Sequence, residues 1–134
     1  MKKPAPLFLT FEEALEIQRY QIEHFGGDPG LRDAALLRSA LAVPSATFDG
    51  EFLHAGIPEM AAAYLFHIAK DHPFVDGNKR TGAMAAIVFL VLNGCAFDAT
   101  NDELVDAVIK TAGGEESKAE LTAFFRKHSI CREQ

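Results

Sequence analysis

The sequence predicts an all-α fold of six to seven helices, and three observations carry that reading. Capping signatures stand ahead of apolar residues at helical spacing, as in Thr10-Phe-Glu-Glu13 and Ser117-x-x-Glu120. Two stretches, 60–69 and 83–92, are apolar almost all round, which a helix tolerates only when protein surrounds it. Windows rich in β-formers are missing, apart from a segment suited to a short hairpin at Thr47, Phe48, Asp49, Gly50, Glu51, Phe52 and Leu53.

The first helix is expected at 11–25, where Phe11, Ala14, Leu15, Ile22 and Phe25 share a face and Gly26-Gly27 ends it. Asp28-Pro29-Gly30 is turn chemistry, and a second helix is expected over 31–42, stopped by Pro44. Residues 43–57 show no sustained period and read as one long loop. Pro58 suits the first turn of a third, central helix. A loop at 72–77 separates it from a fourth at 78–92, closed by Asn93-Gly94. Behind an expected Asn101 cap, Leu104, Val105, Val108, Ile109 and Ala112 line one face of a fifth helix, which Gly113-Gly114 terminates. The last helix carries Leu121, Phe124 and Phe125. No repeat, low-complexity tract or linker divides the chain, so one domain over 1–134 is expected.

At 49% hydrophobic residues, the 134-residue chain can build a core without metal or disulfides, and a disordered chain is excluded. Thirteen Lys and Arg against 19 Asp and Glu leave a net charge of −6. Basic residues come no closer than adjacent pairs, so no positive stripe exists to follow a phosphate backbone, and direct nucleic-acid binding is not expected. The longest apolar run, 83–92, is half of the about 20 residues a membrane span needs. Lys2-Lys3 is followed too soon by Pro4, Pro6 and Glu12-Glu13 for a secretion signal. Two cysteines make no disulfide framework; Cys95 reads as a small apolar residue, and a reducing, cytoplasmic setting is expected.

The chemistry concentrates in Asp71-His-Pro-Phe-Val-Asp-Gly-Asn-Lys-Arg-Thr81, where seven polar or ionisable residues lie between two apolar helices. A helix starting near Asn78 would turn unpaired N–H groups and its positive dipole end out of the loop, beside Lys79 and Arg80, and so make a phosphate site. Gly77 lets backbone approach a ligand closely. Asp76 offers a carboxylate that, with phosphate oxygens, would hold Mg²⁺. His72, four residues earlier, suits a base for an attacking hydroxyl. Phosphoryl or nucleotidyl transfer is the reaction class that follows. Phe74 reads as the loop's apolar anchor and His67 as a structural histidine, while the missing H-E-x-x-H pattern argues against zinc.

His72-Pro-Phe-Val-Asp-Gly-Asn-Lys-Arg80 resembles the signature of the Fic superfamily, His-Pro-Phe-x-Asp/Glu-Gly-Asn-Gly/Lys-Arg. Lys79, with Phe25-Gly-Gly-x-Pro-Gly-Leu-Arg-Asp33, Asn93-Gly94 and Gly113-Gly-Glu-Glu116, is similar to the death-on-curing (Doc) branch of toxins from toxin–antitoxin pairs, over about residues 8–128. The resemblance implies His72 as the base, Asp76 as the Mg²⁺ ligand, Gly77, Asn78, Lys79 and Arg80 as the cradle for ATP phosphates, and the 47–53 segment as a flap that docks the target. Adenylylating relatives have Gly where Lys79 stands and a further Arg where this chain has Ala83. The Doc branch, which shares the Lys, implies ATP bound in reverse and its γ-phosphate moved to a threonine of translation elongation factor Tu, arresting translation. Gly77 departs from the Ala usual in that branch. Protein adenylylation and a catalytically silent antitoxin-binding module are the alternatives; intact His72, Asp76, Asn78 and Arg80 speak against silence. Self-restrained Fic proteins carry Ser/Thr-x-x-x-Glu-Gly/Asn on a helix, whereas Thr47-Phe-Asp-Gly-Glu51 and Thr111-Ala-Gly-Gly-Glu115 are followed by Phe52 and Glu116 and contain helix-weakening glycines. Restraint is therefore expected from a separate antitoxin chain.

Overall fold

In the computed structural model, which describes residues 5–132, the chain runs α1 (Phe11–Phe25), α2 (Ala34–Ala42), β1 (Thr47–Phe48), β2 (Glu51–Phe52), α3 (Ile57–Asp71), α4 (Asn78–Leu92), β3 (Cys95–Phe97), α5 (Asn101–Ala112), α6 (Lys118–His128) and β4 (Ser129–Cys131). The architecture is all-α, with six helices among the described residues. Three helix starts are set within four residues of sequence: Thr10, Thr100 and Ser117 each accept the N–H of the Glu three positions on, and that Glu accepts the cap's own N–H.

The centre is the pair α3 and α4, with α1, α2, α5 and α6 packed around it. Small residues bring the pair together, since a Cβ on Gly82 would come within 3.2 Å of the Leu65 carbonyl. Met60, Tyr64, Leu65, Ile68, Phe89, Leu90, Leu121 and Phe125 are fully buried around this contact. The Tyr64 hydroxyl accepts the Leu9 N–H at 3.0 Å, and burial pushes its pKa up to about 12. The fourth helix is not enclosed all round as its composition suggests. Ala83, Met84 and Ile87 flank a cleft, and Val91 and Leu92 are exposed.

Four expectations are corrected. The second helix starts at Ala34, because Asp33 caps it through the Leu36 N–H and Leu31 is drawn into a β-bridge with Phe74. Thr100, not Asn101, caps α5, and Glu103 completes its capping box. A second strand pair exists, β3 against β4, where two three-residue strands 36 positions apart leave no local sequence pattern. Cys95 is not a free apolar residue: it faces Cys131 across that pair and forms a disulfide with it. The 43–57 segment holds the hairpin β1–β2, which turns at Asp49-Gly50 with φ of 53° and 82°, the left-handed pair a two-residue turn requires.

Candidate active site

The turn joining α3 to α4 forms one end of a cleft of about 810 Å³. His72, Val75, Asp76, Gly77, Asn78, Lys79 and Arg80 line that end; α1 contributes Gln21 and Phe25, and α5 contributes Leu104, Val105, Val108 and Ile109 along the apolar flank. The size falls within the range of ligand sites, about 300–1,000 Å³. All residues of the expected phosphate, metal and base set are brought together here. The hairpin 47–53 lies outside the cleft lining, with Phe48 exposed and Phe52 packed on Phe8.

The turn is built around two side chains that face inward. Phe74 is buried, and Asn78 clamps it, accepting the Phe74 N–H at 2.9 Å and donating to the Phe74 carbonyl at 3.0 Å. Both polar atoms of the Asn78 side chain are thereby engaged, so its share in an anion site falls to its backbone N–H. Gly77 caps α4 in the left-handed region, φ 72°, where it has no side chain to occupy the helix amides. The first turn of α4 contains no acid. Lys79 and Arg80 are exposed, no carboxylate pairs with either among the described residues, and the Arg80 guanidinium stacks 4.8 Å over the Phe25 ring. The result is an open, positive helix N-terminus.

Asp76 stands just ahead of these donors. One carboxylate oxygen accepts the Gly77 N–H at 2.9 Å and the other the Asp28 N–H at 3.3 Å, which fixes the group and leaves lone pairs for a cation. The close approach of the 26–30 segment depends on Gly27, with φ 112°: a Cβ there would come 2.6 Å from an Asp76 oxygen. Among the described residues no group of three or more His, Cys, Asp and Glu could hold a metal. A cation at Asp76 would therefore need phosphate oxygens and water to complete its shell, as Mg²⁺ does. His72 ends α3 in the left-handed region and lies exposed at the cleft rim.

Two supports escape a reading of the local sequence. Gln18, buried on α1, donates to the carbonyls of Asp28 and Asp76 at 3.4 and 3.2 Å and accepts the Gly30 N–H at 3.4 Å. Arg32 donates to the carbonyls of Asp71 and His72. The turn residues they hold lie 58 positions from Gln18 and 39 and 40 from Arg32. The only signal was that Arg32 belongs to the Gly-rich segment similar to the Doc branch. His67 is half-buried, not in the cleft, and lies 3.0 Å from the Lys118 amine; burial, then the Lys118 charge, lowers its pKa.

The chain belongs to the Fic/DOC family: the family model matches residues 8–90, which take in α1 to α4 and the turn that carries His72, Asp76 and the open start of α4. Toxin Doc of Mycolicibacterium smegmatis (strain ATCC 700084 / mc(2)155) is 44% identical over 78 residues, 58% of this chain and 60% of that protein. Protein kinase doc of Escherichia phage P1 is 32% identical over 117 residues, 87% of this chain and 90% of that protein. These relatives place the chain in the Doc branch. The alignment spans less than two thirds of the mycobacterial relative's length.

Proposed function

We propose that this protein is the toxin of a type II toxin–antitoxin pair and acts as an ATP-dependent protein kinase, with residues 1–134 working as one domain. The observation that carries the reading is the uncapped start of α4 beside Asp76 and His72, with Lys79 in place of the glycine of adenylylating relatives. The amides of Asn78, Lys79 and Arg80 and the two cationic side chains take ATP phosphates, while Gly77, its own N–H held by Asp76, lets the backbone come close to them. Asp76 holds Mg²⁺, which neutralises phosphate charge when bound. The His72 imidazole accepts the proton of the target hydroxyl, whose oxygen attacks the γ-phosphorus as the bond to the β-phosphate oxygen breaks and ADP leaves.

The proposed target is a threonine of translation elongation factor Tu, presented along the exposed hairpin β1–β2, and the proposed setting is the cytoplasm on the ground of that target, since the Cys95–Cys131 disulfide removes the cysteines as an argument for a reducing compartment. No helix among the described residues is long and apolar enough to cross a membrane. The antitoxin is a separate chain whose segment folds into the apolar flank beside the His72 loop, where Met84, Ile87, Val105 and Ile109 line the cleft. ATP labelled at the α or the γ position tests the reaction with purified elongation factor Tu. Transfer of γ label supports the kinase, transfer of α label replaces it with adenylylation, and transfer of neither leaves a silent binding module.

A further inference from the structure

The carbonyls at the C-terminal end of a helix lack intrahelical partners and carry the negative end of its dipole. At the end of α3 the carbonyl of its last residue, Asp71, and those of His72 and Pro73 that follow are taken up by one short segment. Arg32 donates from Nε to the His72 carbonyl at 2.7 Å and from Nη2 to the Asp71 carbonyl at 3.0 Å. The backbone N–H groups of Arg32 and Asp33 both donate to the Pro73 carbonyl, at 2.8 and 3.0 Å. Three successive carbonyls are held, two of them by the planar fork of a guanidinium, a geometry a point-like ammonium does not match.

His72 sits in the middle of this clamp with φ 51° and ψ 55°. That region is sparsely populated by residues with a Cβ, and it persists only where the surroundings impose it. The clamp itself is anchored. Leu31 bridges to Phe74, the Val75 N–H donates to the Gly30 carbonyl at 3.0 Å, and Asp33 caps α2. Arg32 has no carboxylate partner among the described residues, and its side chain does not line the cleft.

We propose that Arg32 is a positioning residue for phosphate transfer, fixing the left-handed backbone of His72 and thereby aiming its imidazole across the cleft rim. This rests on the reading of His72 as the base. Loss of the fork frees the His72 φ and ψ to relax, which moves the imidazole while the α4 amides that take phosphate stay in place. A misplacement of about 1 Å is enough for a large loss of rate.

The test compares the full-length wild type, Arg32→Ala, His72→Ala and the double variant. For Arg32→Ala the expected result is a kcat reduced about tenfold or more with KM for ATP within about twofold. Added to His72→Ala, the same change should cost nothing further, because the two residues act as one unit. The His72 Cα and Cβ chemical shifts, which report backbone conformation without any turnover, should carry the left-handed signature in the wild type and lose it in Arg32→Ala. If Arg32→Ala folds poorly, Arg32→Lys, which keeps the charge without the fork, should show the same pattern at smaller size. Unchanged shifts, a rise in KM in place of the fall in kcat, or a full further loss in the His72→Ala background would overturn the proposal. If the wild type transfers no phosphate, the kinase reading fails, and the shifts alone decide whether Arg32 sets the His72 backbone.

Discussion

Helices α4 and α5 both begin at the cleft, and they begin in opposite ways. At α5, Thr100 accepts the Glu103 N–H at 3.1 Å, Glu103 accepts the Thr100 N–H at 2.8 Å, and Asp102 adds a second acid to the first turn. The Thr100 N–H holds the Glu103 carboxyl below its usual range. At α4 the cap is a glycine, no acid follows, and Lys79 and Arg80 occupy the first turn. A side-chain cap contributes about 1 kcal/mol and a first-turn acid about 0.3–1 kcal/mol, so α4 forgoes stability that α1, α5 and α6 secure. The amides left open are those a phosphate would satisfy. Helix starts are a place where stability and anion binding compete for the same N–H groups, and the two ends resolve that competition differently.

The largest expected effect asks whether the open end serves chemistry at all. His72→Ala should lower phosphate transfer by about 10²–10⁴-fold, the usual contribution of a general base. Because His72 is exposed and the Arg32 bonds run to its backbone, the helical signal and melting temperature should stay near those of the wild type. Near-normal turnover in a folded variant would remove His72 from the reaction and leave the α4 end as a binding site only.

Lys79→Glu is designed to make α4 resemble α5. An acid in the first turn stabilises the helix by about 0.3–1 kcal/mol, yet it sets a negative charge against phosphate. Calorimetry should find ATP binding weakened about tenfold or more, which corresponds to at least about 1.4 kcal/mol, together with an unchanged or raised melting temperature. Loss of both binding and stability would mean that Lys79 holds the fold, and the contrast between the two helix starts would collapse.

The features that were readable in advance and those that were not divide along the same physical line. The capping boxes at Thr10 and Ser117, the Gly26 stop and the near-continuous apolar faces of α3 and α4 are local patterns within a few residues, and they appear where the sequence places them. The site turn was legible too, because His72, Asp76, Gly77, Lys79 and Arg80 lie within nine positions of one another. What escaped depends on contacts between distant segments. Leu31 has the residue type of a helix former but pairs with Phe74. Cys95 has the composition of a core position but meets Cys131. Gln18 and Arg32 are unremarkable polar residues until α1 and the 26–33 segment are folded against the turn. The place of Asn78 in the motif points to phosphate, and the commitment of its side chain to Phe74, which the motif does not reveal, leaves that part to its backbone N–H.

Thr100→Ala is the reciprocal of the Lys79 experiment and a smaller effect. It removes a cap that no ligand replaces, so stability should fall by about 1 kcal/mol, a few degrees in melting temperature for a chain of this size. ATP affinity should not change, since the α5 cap faces its own helix. A variant that loses ATP binding as well would show that the two helix starts are coupled across the cleft.

The smallest expected effect lies outside the cleft lining, where a cation is packed against a histidine and not left open to ligand. Lys118 on α6 sits 3.0 Å from His67, and its own pKa is lowered by burial. Burial, then the Lys118 charge, lowers the pKa of both His67 and His54; Asp71 pulls His67 and Glu59 pulls His54 the other way with less force. A histidine with a folded pKa below its ordinary 6.5 is protonated more readily in the unfolded chain, so its contribution is present above that value and is lost as pH falls. The capping carboxylates Glu103 and Glu120, whose pKa values are lowered from 4.5, stay charged throughout the upper range and do not confuse the reading. Melting temperature should therefore decline between pH 7.5 and about pH 6, by less than the Thr100→Ala loss. His67→Gln, which keeps an acceptor for Lys118 but cannot titrate, should flatten part of that slope. If His67→Gln melts with the same pH dependence as the wild type, the Lys118 contact does not control the titration of this face.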